Sequence, residues 1–478
     1  MKIAINRLFI LIFCQFLLVS SQLYAEEKHE HTHERESCRV CGMWIDQYIK
    51  SAAILVHKDG SKEYSCGVAC MLRIVEDEGG VDAFESVQVH DWVSGKLVNA
   101  ADATYVLGSN IIPDMVPNYI AFANRSEAEA FAKKEGGEVI GFNIAFDDIS
   151  PVGTTAPFRI RTAVTPGKGH FSAGVVYGYT QKDNVFIGSN SMDPGNFIEG
   201  NAAQPRAPSE FIGHQQSLVM NYSPTNNLAL FLNVPWFERA TETLNQTSPG
   251  KISETRGEGN SLGDIALEGR YNLWRTTHWD KFVSVLLGVT LPTGRFNGAR
   301  SPTIDPVSKT NLISTSPALQ FGKDVPTFTG GLLYSQRWKK FWLHASGLYN
   351  VNPENDKDFA FGDVATGGLA FHYTPHYDLM LGVEVDVNHA LKNEDRGYKV
   401  GNSGGTVTNL AFVSDWRFLN AFGGNFRLRG SVGLPIQHDL NSTHVVLPGR
   451  QFNQVQLGGG FFANMAIQWT FRAPPSYE

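Results

Sequence analysis

The segment Asp378-Leu379-Met380-Leu381-Gly382-Val383-Glu384-Val385-Asp386-Val387-Asn388 decides the architecture of most of this chain. Leu379, Leu381, Val383, Val385 and Val387 share one parity, and Met380, Gly382, Glu384, Asp386 and Asn388 the other. A strand sends successive side chains to opposite faces. One face is therefore an unbroken aliphatic row while the other carries carboxylates. The pattern returns in Asn425–Leu434, where Phe426, Leu428, Val432 and Leu434 oppose Arg427, Arg429 and Ser431. It returns again in Leu262–Leu273, where Ile265, Leu267, Tyr271 and Leu273 oppose Asp264, Glu268, Arg270 and Asn272.

A soluble sandwich shows the same alternation, so three further features point to the membrane. The segments reach the roughly 9–11 residues that a tilted spanning strand needs. Aromatics stand near their ends, where an interfacial girdle would put them: Trp236, Tyr271, Trp274, Trp338, Trp342, Tyr373, Tyr377, Trp416 and Trp469. Beyond the leader, no apolar run is long enough for a membrane helix. Backbone groups in lipid must all be paired, so such strands must close into a barrel. About twelve strands are expected between residues 168 and 471, an even number as in single-chain bacterial barrels. Pro224-Thr225-Asn226 and Thr374-Pro375-His376 read as short periplasmic turns, and 240–257, 295–312 and 437–452 as outer loops. The last strand sets Phe461, Ala463, Met465, Ile467, Trp469 and Phe471 toward lipid. The Glu384/Asp386 and Arg427/Arg429 rows read as a wetted lumen wall.

Working back toward the N-terminus, residues 167–472 are assigned to the barrel and 148–166, with Pro151, Pro157 and Pro166, to a linker. Residues 37–147 read as a small α+β domain of ββαβ-type repeats. Its first unit has strands at Ala52–His57 and Glu63–Cys66 around the turn Lys58-Asp59-Gly60, then a helix over Val68–Glu78. Its second has a strand at Tyr119–Ala123, a helix capped by Ser126, and a strand over Glu138–Phe146. Residues 26–36 form a charged arm with His29, His31 and His33, which read either as solvated residues or as a weak metal-capturing tract. Residues 1–25 have the makeup of a signal peptide: Lys2 and Arg7, the apolar Leu8–Leu18, and Leu23-Tyr24-Ala25 before Glu26. Losing Lys2 and Arg7 takes the net charge from −7 to −9. That balance speaks against a nucleic-acid partner.

Five cysteines are present, and Cys14 belongs to the leader. The other four lie within the first 70 residues: Cys38-Arg39-Val40-Cys41-Gly42-Met43 and Cys66-Gly67-Val68-Ala69-Cys70-Met71. Four readings stand open: disulfides, which an exported compartment permits; a four-thiolate structural zinc site; a redox CxxC; and Cu(I) binding, since thiolate and thioether are soft donors. Cys66 and Cys70, four apart at a helix start, share one face, and the helix N-terminus favours a thiolate. There is no nucleophile elbow, phosphate loop or HExxH, so no enzyme is expected.

Several motifs in order resemble the NosL family of copper-binding accessory proteins. They are Cys38-x2-Cys41-Gly42-Met43, Val89-His90-Asp91-Trp92, Asn99 through Val106, Met115, Tyr119-Ile120-Ala121-Phe122-Ala123, and Gly136-Gly137. The resemblance implies periplasmic Cu(I) binding and delivery to another protein, with Met115 as a thioether ligand. Gly263-Asp264-Ile265-Ala266-Leu267-Glu268-Gly269-Arg270-Tyr271 and Gly288-Val289-Thr290-Leu291-Pro292-Thr293-Gly294 resemble phenol-degradation meta-pathway-like outer-membrane proteins. That implies a barrel with a transport role.

The combined expectation is an outer-membrane metal-handling protein with its small domain in the periplasm. Cys38, Cys41, Cys66 and Cys70, with Met43, Met71 and Met115, would bind Cu(I), or Zn(II) in the alternative chemistry. Its partners would be outer-membrane lipid and a periplasmic metalloprotein or metal donor. The competing expectation is a channel for small solutes, aromatic ones among them, with a purely structural cysteine domain.

Overall fold

The computed structural model describes residues 35–149, 156–200, 204–248, 250–296, 300–304, 311–313, 319–447 and 450–474. The expected signal peptide and His29, His31 and His33 lie outside the described residues.

In the N-terminal domain, β1 (Ala53–His57) and β2 (Lys62–Ser65) form a hairpin. Its turn is held by Asp59 Oδ1, which accepts from the Ser61 amide at 2.9 Å, while Gly60 supplies the positive φ of 83°. Helix α1 (Val68–Asp77) follows. β3 (Phe84–His90) pairs with β1, and β4 (Leu97–Asn99) with β3, giving the order β2-β1-β3-β4. In the second unit, β5 (Thr104–Leu107) lies between β6 (Tyr119–Phe122) and β7 (Glu138–Gly141), with α2 (Arg125–Glu135) joining the latter two. The ββαβ pattern thus occurs twice, and the first copy gains a fourth strand.

Two local expectations change. The residue before α2 is Asn124, in extended backbone, and Ser126 lies inside the helix. An earlier start lets Ala128 and Phe131 face β5 and β6. The strand expected over 138–146 stops at Gly141, and α3 (Phe142–Asp148) begins. Phe142, Ala145, Phe146 and Ile149 recur at helical spacing and pack on one core, while Ile144 points outward.

The barrel strands are β8 (His170–Lys182), β9 (Arg206–Tyr222), β10 (Leu228–Ser248), β11 (Lys251–Leu262), β12 (Ile265–Arg275), β13 (Lys281–Leu291), β14 (Thr327–Trp338), β15 (Phe341–Val351), β16 (Val364–His376), β17 (Leu379–Ala390), β18 (Gly405–Ala421), β19 (Gly424–Leu440) and β20 (Phe462–Arg472). β11 and β12 both pair with β10 and act as one interrupted strand, so the wall has twelve staves. β20 pairs with β8, β8 with β9 and β9 with β10, which closes the ring. Every neighbouring pair is antiparallel. No helix among the described residues is long and apolar enough to cross a membrane. The closed strand cylinder with an aliphatic exterior is instead the architecture of an outer-membrane barrel.

The expected parity holds. Leu267, Leu273, Leu381, Val432 and Leu434 face outward, while Arg270, Asn272, Glu384, Asp386 and Arg427 are buried inside. Trp236, Tyr271, Trp274, Trp338, Tyr373 and Trp416 are exposed on the outside, as a girdle requires. Trp342 and Tyr377 are not. Trp342 has the inward parity of β15 and packs with Phe282, and Tyr377 joins the core of the cysteine domain. The expected outer loop 240–257 is largely a hairpin extending β10 and β11, because its Thr-rich residues continue the ladder. Part of 437–452 is likewise paired, Thr443–Leu447 with Arg450–Gln454.

The expected linker is the largest correction. Its described part, 156–166, runs inside the barrel lumen. The amides of Phe158 and Arg159 donate to the two carboxylate oxygens of Glu384, both at 2.7 Å. Arg159 reaches Asp386 at 2.6 Å, and Arg161 grips Glu268 through two nitrogens at 2.8 and 2.9 Å. Ser284 donates to the Ala163 carbonyl at 2.6 Å, and Arg270 to that of Val164 at 2.9 Å. Arg429 and Arg472 take the carbonyls of Ala156 and Pro166. The expected lumen wall is therefore lined with partners for a chain segment. The segment joins no strand of the described residues, and the wall supplies its bonds.

Candidate metal centre

The first cysteine pair is set by a tight turn. The Gly42 amide donates to the Cys38 carbonyl at 2.8 Å, and the Cys38 amide to the Met43 carbonyl at 2.9 Å. Gly42 has φ +74°, a left-handed conformation natural to glycine. Cys70 sits on the first turn of α1 and Cys66 just before its N-cap Gly67, and the two sulfurs come within 3.6 Å of each other. Ser51 Oγ fixes the approach by donating to the Cys66 carbonyl at 2.9 Å.

These elements bring all four sulfurs within 4.8 Å of one another. Cys41 Sγ lies 3.4 Å from Cys66 Sγ, and Cys66 Sγ lies 3.6 Å from Cys70 Sγ. All four are free and buried, at non-bonded separations far above the ~2.05 Å of a disulfide. The donor set passes a simple geometric test. Four sulfurs held about 2.3 Å from a central ion stand about 3.8 Å apart, close to the spacings found. Met43 and Met71 are buried in the same cluster, and Met115 packs partly buried against it.

Charge is shared unevenly among the thiols. Cys38 is held well below the usual thiol range because Cys41, then Cys66 and Cys70, hydrogen-bond to its thiolate. Burial, foremost, pushes Cys66 up, and the hydrogen bond with Cys38 raises Cys70. The cluster thus favours the thiolate at Cys38 over that at Cys66 or Cys70, and a bound cation would displace thiol protons.

The surroundings include groups that sequence reasoning missed. Asp114 is fully buried, and burial pushes its carboxyl up to about 7. Its Oδ2 occupies the place a side chain at Gly67 would take, 1.1 Å from an ideal Cβ there. The guanidiniums of Arg417 and Arg472 lie within electrostatic reach of Cys41, and that of Arg472 also of Cys66. Arg73, three residues past Cys70 on α1, is buried too. An arginine in that apolar helix and an aspartate beside Met115 were the available signals. The barrel arginines had none, because they are brought in from more than 300 positions away.

Those arginines mark where the site lies. The domain rests on the short-turn end of the barrel. Tyr48 donates to the Arg472 carbonyl at 2.8 Å, Asn420 to that of Arg39 at 2.5 Å, and Asn425 to that of Cys41 at 3.2 Å. His376 meets Asp77 at 3.0 Å, and His278 meets Glu138 at 3.1 Å and Asp148 at 3.2 Å. The Cys38–Cys41 turn abuts the β18–β19 turn so closely that a Cβ at Gly42 would stand 2.0 Å from the Gly424 oxygen. A cavity of about 410 Å³ begins at Arg73, Val116 and Pro117 of the domain and runs into the lumen beside Phe158, Thr162 and Trp342.

Residues 29–151 match the NosL family model. A copper-binding lipoprotein NosL from Stutzerimonas stutzeri is 32% identical over 120 residues, which cover 23% of this chain and 62% of that protein. The chain thus spans less than two thirds of the relative's length. Among solved structures, the copper chaperone NosL from Shewanella denitrificans aligns over 24% of this chain and 94% of its own, at 24% identity and a TM-score of 0.21. An outer membrane channel from Pseudomonas putida F1 aligns over 66% of this chain and 100% of its own, at 12% identity and a TM-score of 0.45. The NosL resemblance read from the motifs is borne out for the N-terminal segment.

Proposed function

We propose that this protein handles Cu(I) at the periplasmic face of the outer membrane. In this reading Cys38, Cys41, Cys66 and Cys70 hold the ion, with Met43, Met71 and Met115 as the surrounding thioether shell. The observation that carries it is the cluster of four free, buried thiols within 4.8 Å of one another. Soft thiolates select Cu(I) over hard cations, and the copper-binding NosL relative of this segment supports the same choice. Zn(II) suits four thiolates as well, so the metal is decided by competition between the two ions. Short barrel turns lie on the periplasmic side of such proteins, which supports the domain's location there. The barrel anchors the site, and the cavity that begins beside it supports passage or exchange of cargo through the lumen, with a periplasmic metalloprotein or donor as the other party.

The test is a Cu(I) titration of the full-length protein against a chromogenic chelator. Wild type should compete for the ion, and a variant with all four cysteines changed to serine should capture one equivalent of Cu(I) fewer per chain. Equal retention by the two proteins, or a preference for Zn(II) over Cu(I), would sink the proposal. A second reading, a channel for small solutes, draws on the cavity and its rings Phe158, Phe231, Phe282 and Trp342. Liposome swelling by the intact protein tests it, and impermeability to every solute tried would count against it.

A further inference from the structure

We propose a second metal site inside the barrel, formed by His344 and His372, that takes a two-coordinate Cu(I) ion. It is built from residues remote in sequence from the cysteine domain and does not depend on the thiol site being correct.

His344 on β15 and His372 on β16 both point inward. In the register, His344 faces Ala370 and Trp342 faces His372, so the two histidines are diagonal neighbours. Glu384 on β17 faces Ala370 and continues the same diagonal. All three side chains are fully buried, and the two imidazole rings have centroids 5.1 Å apart at 53°.

Of their four ring nitrogens, one is hydrogen-bonded and three have no hydrogen-bond partner among the described residues. His344 Nδ1 is engaged by Ser335 Oγ at 2.8 Å and by Thr162 Oγ1 at 3.1 Å. Its Nε2 is buried with no hydrogen-bond partner among the described residues. His372 Nε2 lies 3.4 Å from Glu384 Oε1, within ion-pair reach though not a well-directed hydrogen bond. Its Nδ1 is buried and likewise without a partner among the described residues. Metal-bound histidines have this arrangement: a carboxylate or other polar group holds one ring nitrogen, fixing the tautomer, and the second binds the ion. Each unpartnered buried nitrogen carries a desolvation cost, which a cation bound by the two rings would remove.

The donor set also chooses the ion. Imidazole suits copper and zinc alike, but zinc seeks four ligands. Here each Glu384 oxygen is directed toward the lumen segment, accepting one amide from Phe158 or Arg159. Among the described residues no third His, Cys, Asp or Glu ligand atom gathers with the two imidazoles, and such a pair matches Cu(I), which accepts linear two-coordination. The lumen cavity reaches the wall of this site, being lined by Thr162 and by Trp342, which stacks on His344 at 5.4 Å and 5°. Through Thr162, a bound ion would also fasten the lumen segment.

The experiment uses the full chain in detergent, with Cys38, Cys41, Cys66 and Cys70 changed to serine and His29, His31 and His33 changed to alanine. Cu(I) is titrated against a chromogenic chelator, and the loaded protein is examined by X-ray absorption. The expected result is one Cu(I) per chain with two nitrogen donors, and Zn(II) binding at least about tenfold weaker. Adding His344→Phe and His372→Phe should bring Cu(I) to zero. No retained ion, an ion that persists in the doubly substituted barrel, or a site of four donors would overturn the proposal. Should the double variant fail to fold, His372→Gln and the absorption spectrum of the parent decide the matter alone. The thiols are absent from every variant, so this outcome is separate from that of the thiol titration.

Discussion

In the cysteine domain the fully buried side chains include Leu55, Ile74, Tyr105 and Tyr119. In the barrel they include Glu384, His344, Ser284 and Ser335, while Leu287 and Leu332 stand on the outside, 70% and 64% exposed. The two halves are built from one alphabet and turned inside out. The domain is stabilised by removing apolar surface from water. The barrel shows its apolar surface to lipid, and its interior is a network of charges and hydrogen bonds in which segment 156–166 is a full participant. The contrast says that a buried charge is the exception in the first half, as at Arg73, Asp91 and Asp114, and a recurrent structural element in the second.

The largest test of that contrast is Asp415→Leu. Asp415 is the buried counter-charge of Arg427, at 2.8 Å, and of Arg429, at 3.1 Å. Removing one partner of a buried pair costs about 3–5 kcal/mol, so the temperature at which the barrel loses its compact electrophoretic form should drop sharply. An unchanged temperature would break the comparison. Leu55→Ala, in the domain core, should cost about 2–5 kcal/mol. Leu332→Ala on the barrel exterior should barely register, and comparable losses at both sites would mean that the assignment of faces is wrong.

Glu384→Leu leaves two lumen amides without their acceptor, at about 1–3 kcal/mol each. It should loosen segment 156–166, read as faster liposome swelling than wild type. Gly42→Ala combines a left-handed backbone with a methyl group 2.0 Å from the Gly424 oxygen. A loss of about 1–3 kcal/mol should appear as quicker proteolytic release of the domain from the barrel. The smallest effect is a pH dependence of the same interface. Burial opposes charging of His278, but Asp148 and then Glu138 outweigh it and raise its pKa. Its contribution to docking is therefore fully present below its ordinary value of 6.5 and lost as pH rises through the elevated value. Proteolytic release should quicken with rising pH across that window, and His278→Ala should flatten the profile.

The barrel was legible because parity is a local property: every second residue from Leu379 to Val387 declares its face without reference to the rest of the chain. The thiol cluster was legible for a similar reason, since CxxC and a helical i,i+4 pair each place two sulfurs by local geometry. The lumen course of 156–166 left no such trace. Pro157 and Pro166 only bracket it, and its partners, from Asn226 to Arg472, lie 61 or more positions downstream. Trp342 resembles a girdle residue by its place near a strand end, but its parity on β15 turns it inward. The end of β7 was misplaced because four residues fit either period until the burial of Ala145 and Ile149 selects the helix.

From its sequence alone, this protein is a cysteine-bearing domain followed by a membrane barrel, and its soft donors are Cys38, Cys41, Cys66 and Cys70. Periodicity and ligand spacing act over a few residues and need no knowledge of the fold. Only the tertiary structure set those thiols against the short-turn mouth of the barrel, surrounded them with Asp114, Arg417 and Arg472, filled the lumen with the expected linker, and left His344 and His372 facing one another across two strands. Those arrangements follow from ring closure and strand register, which join residues tens to hundreds of positions apart and leave no local mark on either one.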